Sequence, residues 1–339
     1  MELAVPNAMR SNTSTDALEL LVAATQVEME KVNALILARA DSHVELVPEL
    51  ARYLIEAGGK RLRPMLTLAA SAVFESDSVH QIKFAAAVEF MHNATLLHDD
   101  VVDESDMRRG KPAARKVWGN QASVLVGDFL LGQAFMMMVE TGELRALEVL
   151  SHAAAKIAEG EVFQLAKAGD LDATTHDYAQ VVVAKTATLF EAATTVGAMA
   201  ANAHGDQIEA LRLYGLELGW AFQLADDILD YGGVSGNMGK NTGDDLREGK
   251  MTLPVILALE LAAPEERAMI ISALGNPEAG EDDVAEIVRI FERHGTLAAA
   301  LAEAEQHAQA AKSALGGLPD SATRNLLADV ADFCVARAY

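Results

Sequence analysis

Two observations predict an all-α protein. Hydrophobic residues make up 51% of the 339-residue chain but aromatics only 5%, with alanine and leucine abundant, a composition that favours packed helices over a β-sandwich. Apolar residues also recur at helical spacing almost throughout, as at Leu18, Leu21, Val22, Val27 and Met29, and no stretch sustains the alternation of a strand. No linker-like segment divides the chain, so one helical domain over 16–339 is expected behind a flexible segment at 1–15.

The elements follow from the punctuation. Breaks fall at Gly58-Gly59 before Arg63-Pro64, at Asn120 before the 121–140 run, at Gly232-Gly233, and at Gly316-Gly317 before Pro319. They cut the chain into roughly ten to thirteen helices. The stretches 81–98, 121–139, 181–201 and 211–229 are apolar on all sides, which places them centrally as the walls of a cavity. Residues 232–251, rich in Gly, Asn and Asp and carrying two lysines, form a long loop that suits a phosphate-covering lid.

Composition also excludes classes of function. A formal charge of −23 repels nucleic acid and anionic lipid, so neither is an expected partner. Cys334 is the only cysteine, which rules out an intrachain disulfide and fits a reducing compartment. The first fifteen residues show no export or transit pattern. Asp128, Gln133, Pro254 and Glu260 interrupt the longest apolar runs, so no membrane-spanning segment is expected and the cytoplasm is the default location.

Two acidic clusters share one spacing, Asp99-Asp100-x-x-Asp103 and Asp226-Asp227-x-x-Asp230, 127 residues apart. Carboxylates at i and i+4 lie on one helix face, so each cluster crowds like charges that repel unless a cation lies between them. All the candidate donors are oxygen, which suits a hard divalent ion such as Mg²⁺ held with waters and phosphates. Arg108 and Arg109 follow the first cluster, and Lys240 and Lys250 follow the second. Alternating carboxylates and cations are what a Mg²⁺-bridged diphosphate needs.

Five strings carry a family resemblance: GGKRLRP (58–64), EFMHNATLLHDDVVDESDMRRG (89–110), KT (185–186), FQLADDILD (222–230) and GKNTGDDLREGKMTLP (239–254). In order and spacing they resemble the trans-isoprenyl diphosphate synthases over about two hundred residues, and five agreeing motifs are far more specific than one acidic run. The resemblance implies a single-domain helical bundle around a deep central cavity, usually a homodimer. It implies that Asp99, Asp103 and Asp226 ligate Mg²⁺ directly, with Asp100, Asp227 and Asp230 acting through water or orienting the others. Arg108, Lys185 and Lys240 would hold the allylic diphosphate, with Lys250 among the nearby substrate cations. Lys60, Arg63, His92 and Arg109 would hold isopentenyl diphosphate. Thr186 and Gln223 would point dipoles at the developing carbocation. No protein nucleophile is then required, because pyrophosphate can accept the proton lost after condensation.

The same resemblance sets an expectation for product length. In this family a bulky aromatic before the first acidic cluster closes the pocket, and the usual gate lies five residues before its first Asp, here Ala94. Thr95 and Met91 are not aromatic either, so the growing chain should pass towards Val88 and Ala87. The 23 residues from Gln81 to Asp103 could line a tunnel of roughly 34 Å. The run through HNATLLHDD and GNQASVLVGDFLLGQAF resembles bacterial octaprenyl to decaprenyl synthases that make quinone side chains, with farnesyl or geranylgeranyl diphosphate as primer. Phe135 and Met136 to Met138 are candidates for the tunnel floor.

Blander readings compete. His92 alone in an apolar helix reads as a core histidine, and only the matched motif turns it towards substrate; His98 keeps the structural reading. Glu89-x-x-His92 has the spacing of a di-iron ligand pair, yet no second Glu-x-x-His completes it. A class I terpene cyclase shares the first acidic motif, but this chain repeats that motif and keeps Lys60 and Arg63. A non-catalytic subunit of a heteromeric synthase typically loses acidic motifs that are intact here.

Overall fold

The computed structural model describes residues 8–56, 58–74, 76, 78–232 and 243–338, and they adopt the expected all-α architecture. The chain opens with α1 (Ala8–Arg39), α2 (Leu46–Glu56), α3 (Leu62–Ala72) and α4 (His80–Val102). A small hairpin, β1 (Met107–Arg108) against β2 (Lys111–Pro112), interrupts the helices. There follow α5 (Ala114–Trp118), α6 (Asn120–Thr141), α7 (Leu144–Lys167) and α8 (Thr175–Val182). A π turn, Val183–Ala187, runs into α9 (Thr188–Ala200), and α10 (Gly205–Gly232) comes next. The last third holds α11 (Asp244–Arg247), α12 (Leu253–Leu261), α13 (Pro264–Ala273), α14 (Glu281–His294), α15 (Thr296–Ala314) and α16 (Ala322–Ala336).

The central layer is α4, α9 and α10, with α3 and α6 packed on α4 and α15 packed on α10. Glycine lets two of these pairs meet backbone to backbone. A Cβ at Gly197 would strike the Thr67 carbonyl oxygen of α3, and one at Gly215 would crowd the Phe190 carbonyl oxygen of α9. A second apolar cluster joins Tyr231, Leu246, Val255, Ile270, Val284 and Phe291. It pins α11 through the fully buried Leu246 and so fixes the residues on either side of it, Asp245 and Arg247.

Several expectations need correction. The described residues contain sixteen α-helices; the excess over the expected number comes from the short α5 and α11 and from the π turn dividing 181–201. Helix α1 starts at Ala8, inside the segment expected to be flexible. Two helical stretches, Asn120–Thr141 and Thr175–Ala200, are long and apolar enough to cross a membrane, because Asp128 and Gln133 do not offset the apolar residues around them. Thr175–Ala200 is mostly buried in the core. Helix α6 is not wholly central: Leu125, Met136 and Val139 stand exposed on one face at helical spacing. Met136 therefore points away from any tunnel floor, whereas Met137 and Met138 are fully buried.

Candidate active site

Both acidic clusters sit in the closing turns of long helices. Asp103 is the C-cap of α4, and Asp226, Asp227 and Asp230 occupy the last two turns of α10. A helix C-terminus carries a partial negative charge, so carboxylates there are repelled by the helix as well as by one another. Such a site needs cations, and four basic side chains from other elements, Lys185, Arg108, Lys250 and Arg337, supply them.

The wide π turn carries Lys185 and Thr186, and such turns favour functional positions because the extra residue breaks the helical register. Lys185 Nζ lies 3.7 Å from Asp99 Oδ2 and donates to Glu161 Oε2 of α7 at 2.8 Å. Burial alone would lower the Lys185 pKa, but Asp99 and Glu161 outweigh it and hold the ammonium protonated. Burial pushes Asp99 up to about 7, against the pull of Lys185 and with a further push from Glu161 and Asp103. Asp100 is fully buried and accepts from Arg108 Nε at 2.8 Å and from Arg108 Nη2. Its second oxygen has no protein partner. Arg108 is thereby latched to the helix end from strand β1.

Lys250 joins the two clusters. Its Nζ lies 3.9 Å from Asp103 Oδ2 and 3.2 Å from Asp245 Oδ1, and it pairs with Glu248. The Asp245 amide in turn donates to Asp230 Oδ2 at 3.1 Å. Asp226 is half-exposed and lies 3.6 Å from Arg337 Nη2. Arg337 caps α16 and stacks over the Phe222 ring at 4.3 Å. Asp227 is buried and accepts from the Tyr178 hydroxyl at 2.7 Å and from Gln223 Nε2 at 2.6 Å. Burial, followed by the charge of Asp245, pushes Asp227 up to about 8. Thr186 Oγ1 donates to Gln223 Oε1 at 2.7 Å, so the two residues expected beside the carbocation touch each other.

The cations expected for isopentenyl diphosphate gather between α3, α4 and the hairpin. Arg63 Nη1 is 3.4 Å from His92 Nε2, and its guanidinium stacks on Phe190 at 4.4 Å. Burial pushes Arg63 down to about 10, and burial next to Arg63 drives His92 well below the usual imidazole range, so His92 is neutral. Arg109 donates to the Gly58 carbonyl from a left-handed backbone, φ 52°. A non-glycine residue pays strain there, and such strain clusters at functional turns. Lys60 is exposed and lies 5.0 Å over the Phe333 ring of α16. Lys240 lies outside the described residues, as does 233–242 of the expected lid.

Ala94 and Met91 are at most 2% exposed on the buried side of α4, with Ala87 and Val88 fully buried behind them. Thr95 turns its hydroxyl back to the His92 carbonyl at 2.8 Å. His98 lies across α6, 3.2 Å from the Val124 carbonyl and 3.4 Å from Asp128, in keeping with a structural role. Glu89 is a buried acid bonded by Asn93 at 3.1 Å, which removes it from any di-iron pairing.

Among the described residues, no three carboxylate or imidazole groups gather closely enough to cage a metal. The donor set nevertheless fits a hard ion that keeps its waters: Mg²⁺ takes one or two carboxylates plus substrate phosphates rather than a full protein cage. The unpartnered buried oxygen of Asp100, and the burial that disfavours charge on Asp99, leave acceptor groups that a bound cation would satisfy. Four contributors escaped the sequence reading. Asp245 stood inside a quoted motif, while Glu161, Tyr178 and Arg337 lie on helices with no spacing signal, and only packing brings them in.

An all-α fold with two acid-tipped helices linked through Lys250 and Asp245 defines a protein of the isoprenoid-synthase type. The polyprenyl synthetase family model matches residues 44–291. Octaprenyl diphosphate synthase of Escherichia coli (strain K12) is 45% identical over 323 residues, covering 94% of this chain and 99% of that protein. A solved polyprenyl synthase from Caulobacter crescentus CB15, complexed with calcium and isoprenyl diphosphate, superposes with a TM-score of 0.91 at 49% identity, covering 95% of this chain and 98% of that one. A decaprenyl diphosphate synthase from Rhodobacter capsulatus gives 0.90 at 47% identity, with 95% and 99% covered. This chain belongs to the polyprenyl synthetase family and is a prenyltransferase.

Proposed function

We propose that this protein is a Mg²⁺-dependent long-chain trans-polyprenyl diphosphate synthase. It extends farnesyl or geranylgeranyl diphosphate with isopentenyl diphosphate to about eight to ten isoprene units, the range named for its octaprenyl and decaprenyl relatives. The observation that carries the length is Ala94, a small buried residue on α4 five positions before Asp99, where an aromatic would close the way to Val88 and Ala87.

The residues act as follows. Lys185 and Arg108 hold the allylic diphosphate beside the α4 acids, and Lys240 is a further cation for it. Lys60, Arg63, His92 and Arg109 orient isopentenyl diphosphate so that its alkene approaches the allylic carbon. Asp99, Asp103 and Asp226 would hold Mg²⁺, which neutralises departing pyrophosphate as a Lewis acid. Asp100, Asp227 and Asp230 orient their neighbours from behind. Thr186 and Gln223 supply uncharged dipoles to the developing cation, and the closed apolar wall excludes the water that would quench it. The calcium and isoprenyl diphosphate of the Caulobacter relative support a divalent metal at this site.

The product would serve as a quinone side chain made in the cytoplasm, to which the lone buried Cys334 is suited. A homodimer is supported by the exposed apolar face of α6. The deciding experiment incubates the protein with farnesyl diphosphate, labelled isopentenyl diphosphate and Mg²⁺, then sizes the dephosphorylated products chromatographically. Products near about forty to fifty carbons, abolished by chelation, are expected. A short product overturns the length, and a product insensitive to chelation overturns the metal.

A further inference from the structure

Behind the second acidic cluster lies a buried chain of hydrogen bonds that substrate binding alone does not explain. The Tyr178 hydroxyl donates to Asp227 Oδ2 at 2.7 Å, and Gln223 Nε2 donates to Asp227 Oδ1 at 2.6 Å. Gln223 thus turns its amide nitrogen to Asp227 and its oxygen to Thr186. The Thr186 hydroxyl then donates to that oxygen at 2.7 Å. Its single hydrogen is spent inward, so the only capacity left on Thr186 Oγ1 is its lone pairs.

That direction matters for a cation. A free hydroxyl rotates and can offer either end of its dipole, whereas one whose hydrogen is committed offers only its negative end. Thr186 follows Lys185, whose Nζ lies 3.7 Å from Asp99, so this dipole sits where the allylic bond ionises. The far end of the chain is firmly seated. Tyr178 is 6% exposed, its ring packs edge-on to Trp220 at 6.3 Å, and Trp220 is stacked on His307 at 4.7 Å. The capping box between Thr174 and Asp177 starts α8 at Thr175, three residues before Tyr178, fixing where the ring enters the core.

We propose that Tyr178 is a positioning residue for ionisation: by occupying Asp227 it fixes the Gln223 amide, and so orients the Thr186 oxygen lone pairs towards the allylic cation. Without the Tyr178 hydroxyl, Asp227 loses a buried partner and can turn; Gln223 can then flip, present its nitrogen to Thr186 and reverse the Thr186 dipole. The proposal rests on the reading of Thr186 and Gln223 as the dipoles beside the cation.

The test is a double-mutant cycle on the full-length enzyme with Tyr178→Phe, Thr186→Val and the pair, measured with farnesyl diphosphate, isopentenyl diphosphate and Mg²⁺. Tyr178→Phe removes one oxygen and keeps the ring. It should lower kcat about tenfold or more, with both KM values within about twofold of wild type, as expected for a contact that matters in the transition state. The double variant should be no slower than Thr186→Val alone. Gln223→Leu, which cuts the chain in its middle, should likewise mask Tyr178→Phe, and this second cycle holds even if one variant is less stable. Multiplying effects, or a wild-type kcat in Tyr178→Phe beside a slowed Thr186→Val, would overturn the relay alone. A wild-type rate in Thr186→Val would overturn the underlying assignment of Thr186 and the relay with it.

Discussion

Ala94 and the two elevated aspartates carry the strongest expectations at the level of single residues. Ala94→Phe puts an aromatic into a position that is 2% exposed between α4 and its neighbours, so the products should shorten sharply while activity with farnesyl diphosphate or a shorter primer survives. An unchanged product ladder would place the gate elsewhere. Burial raises Asp99 to about 7 and Asp227 to about 8, which means the fold favours their protonated forms. Stability from these groups is therefore complete below the unfolded carboxylate range and is lost as pH rises through the two folded values. With chelator present, the melting temperature should fall between about pH 4 and about pH 8, and added Mg²⁺ should restore most at the alkaline end. A Mg²⁺ stabilisation equal at both ends would speak against these acids as its site. Some of this level was legible in advance. The acidic spacing named all six aspartates, and the family resemblance set Asp100 and Asp227 behind the expected direct ligands, but their burial against Arg108, Tyr178 and Gln223 is a tertiary fact.

Between elements, the separation of α3, α9 and α10 sets the position of the catalytic groups. Gly197 lets α9 press on α3, and Arg63 of α3 stacks on Phe190 of α9, so the same contact seats a cation proposed to bind substrate. Gly197→Ala forces the Thr67 carbonyl away and should cost about 1–3 kcal/mol, as overpacking does. It should also raise the KM for isopentenyl diphosphate through Arg63. Thermal melting and steady-state kinetics check both, and a variant as stable as wild type would show that α3 moves freely. Helix periodicity foretold these elements because their faces are apolar. It missed the π turn because one inserted residue leaves composition unchanged, and it drew 121–139 inward because an exposed apolar face reads the same as an apolar core.

For the whole molecule, the outstanding question is what covers α6. Leu125 and Val139, 66% and 62% exposed, lie two turns or more apart on one face, a spacing that suits a second copy of a chain whose net charge of −23 discourages loose aggregation. Leu125→Glu with Val139→Glu should give a monomer by analytical ultracentrifugation, and a dimer that persists would locate the interface on another surface.

The sequence by itself determined the helical class and the family, and it supplied the acidic and basic residues proposed for the site, because repeating apolar spacing and fixed motif offsets are local properties written along the chain. Only the tertiary structure decided which groups answer those charges. Glu161 beside Lys185, Asp245 beneath Lys250, Arg337 against Asp226 and Tyr178 behind Asp227 come from separate helices. They meet because burying carboxylates at two helix ends demands partners within hydrogen-bonding reach, wherever in the chain those partners begin.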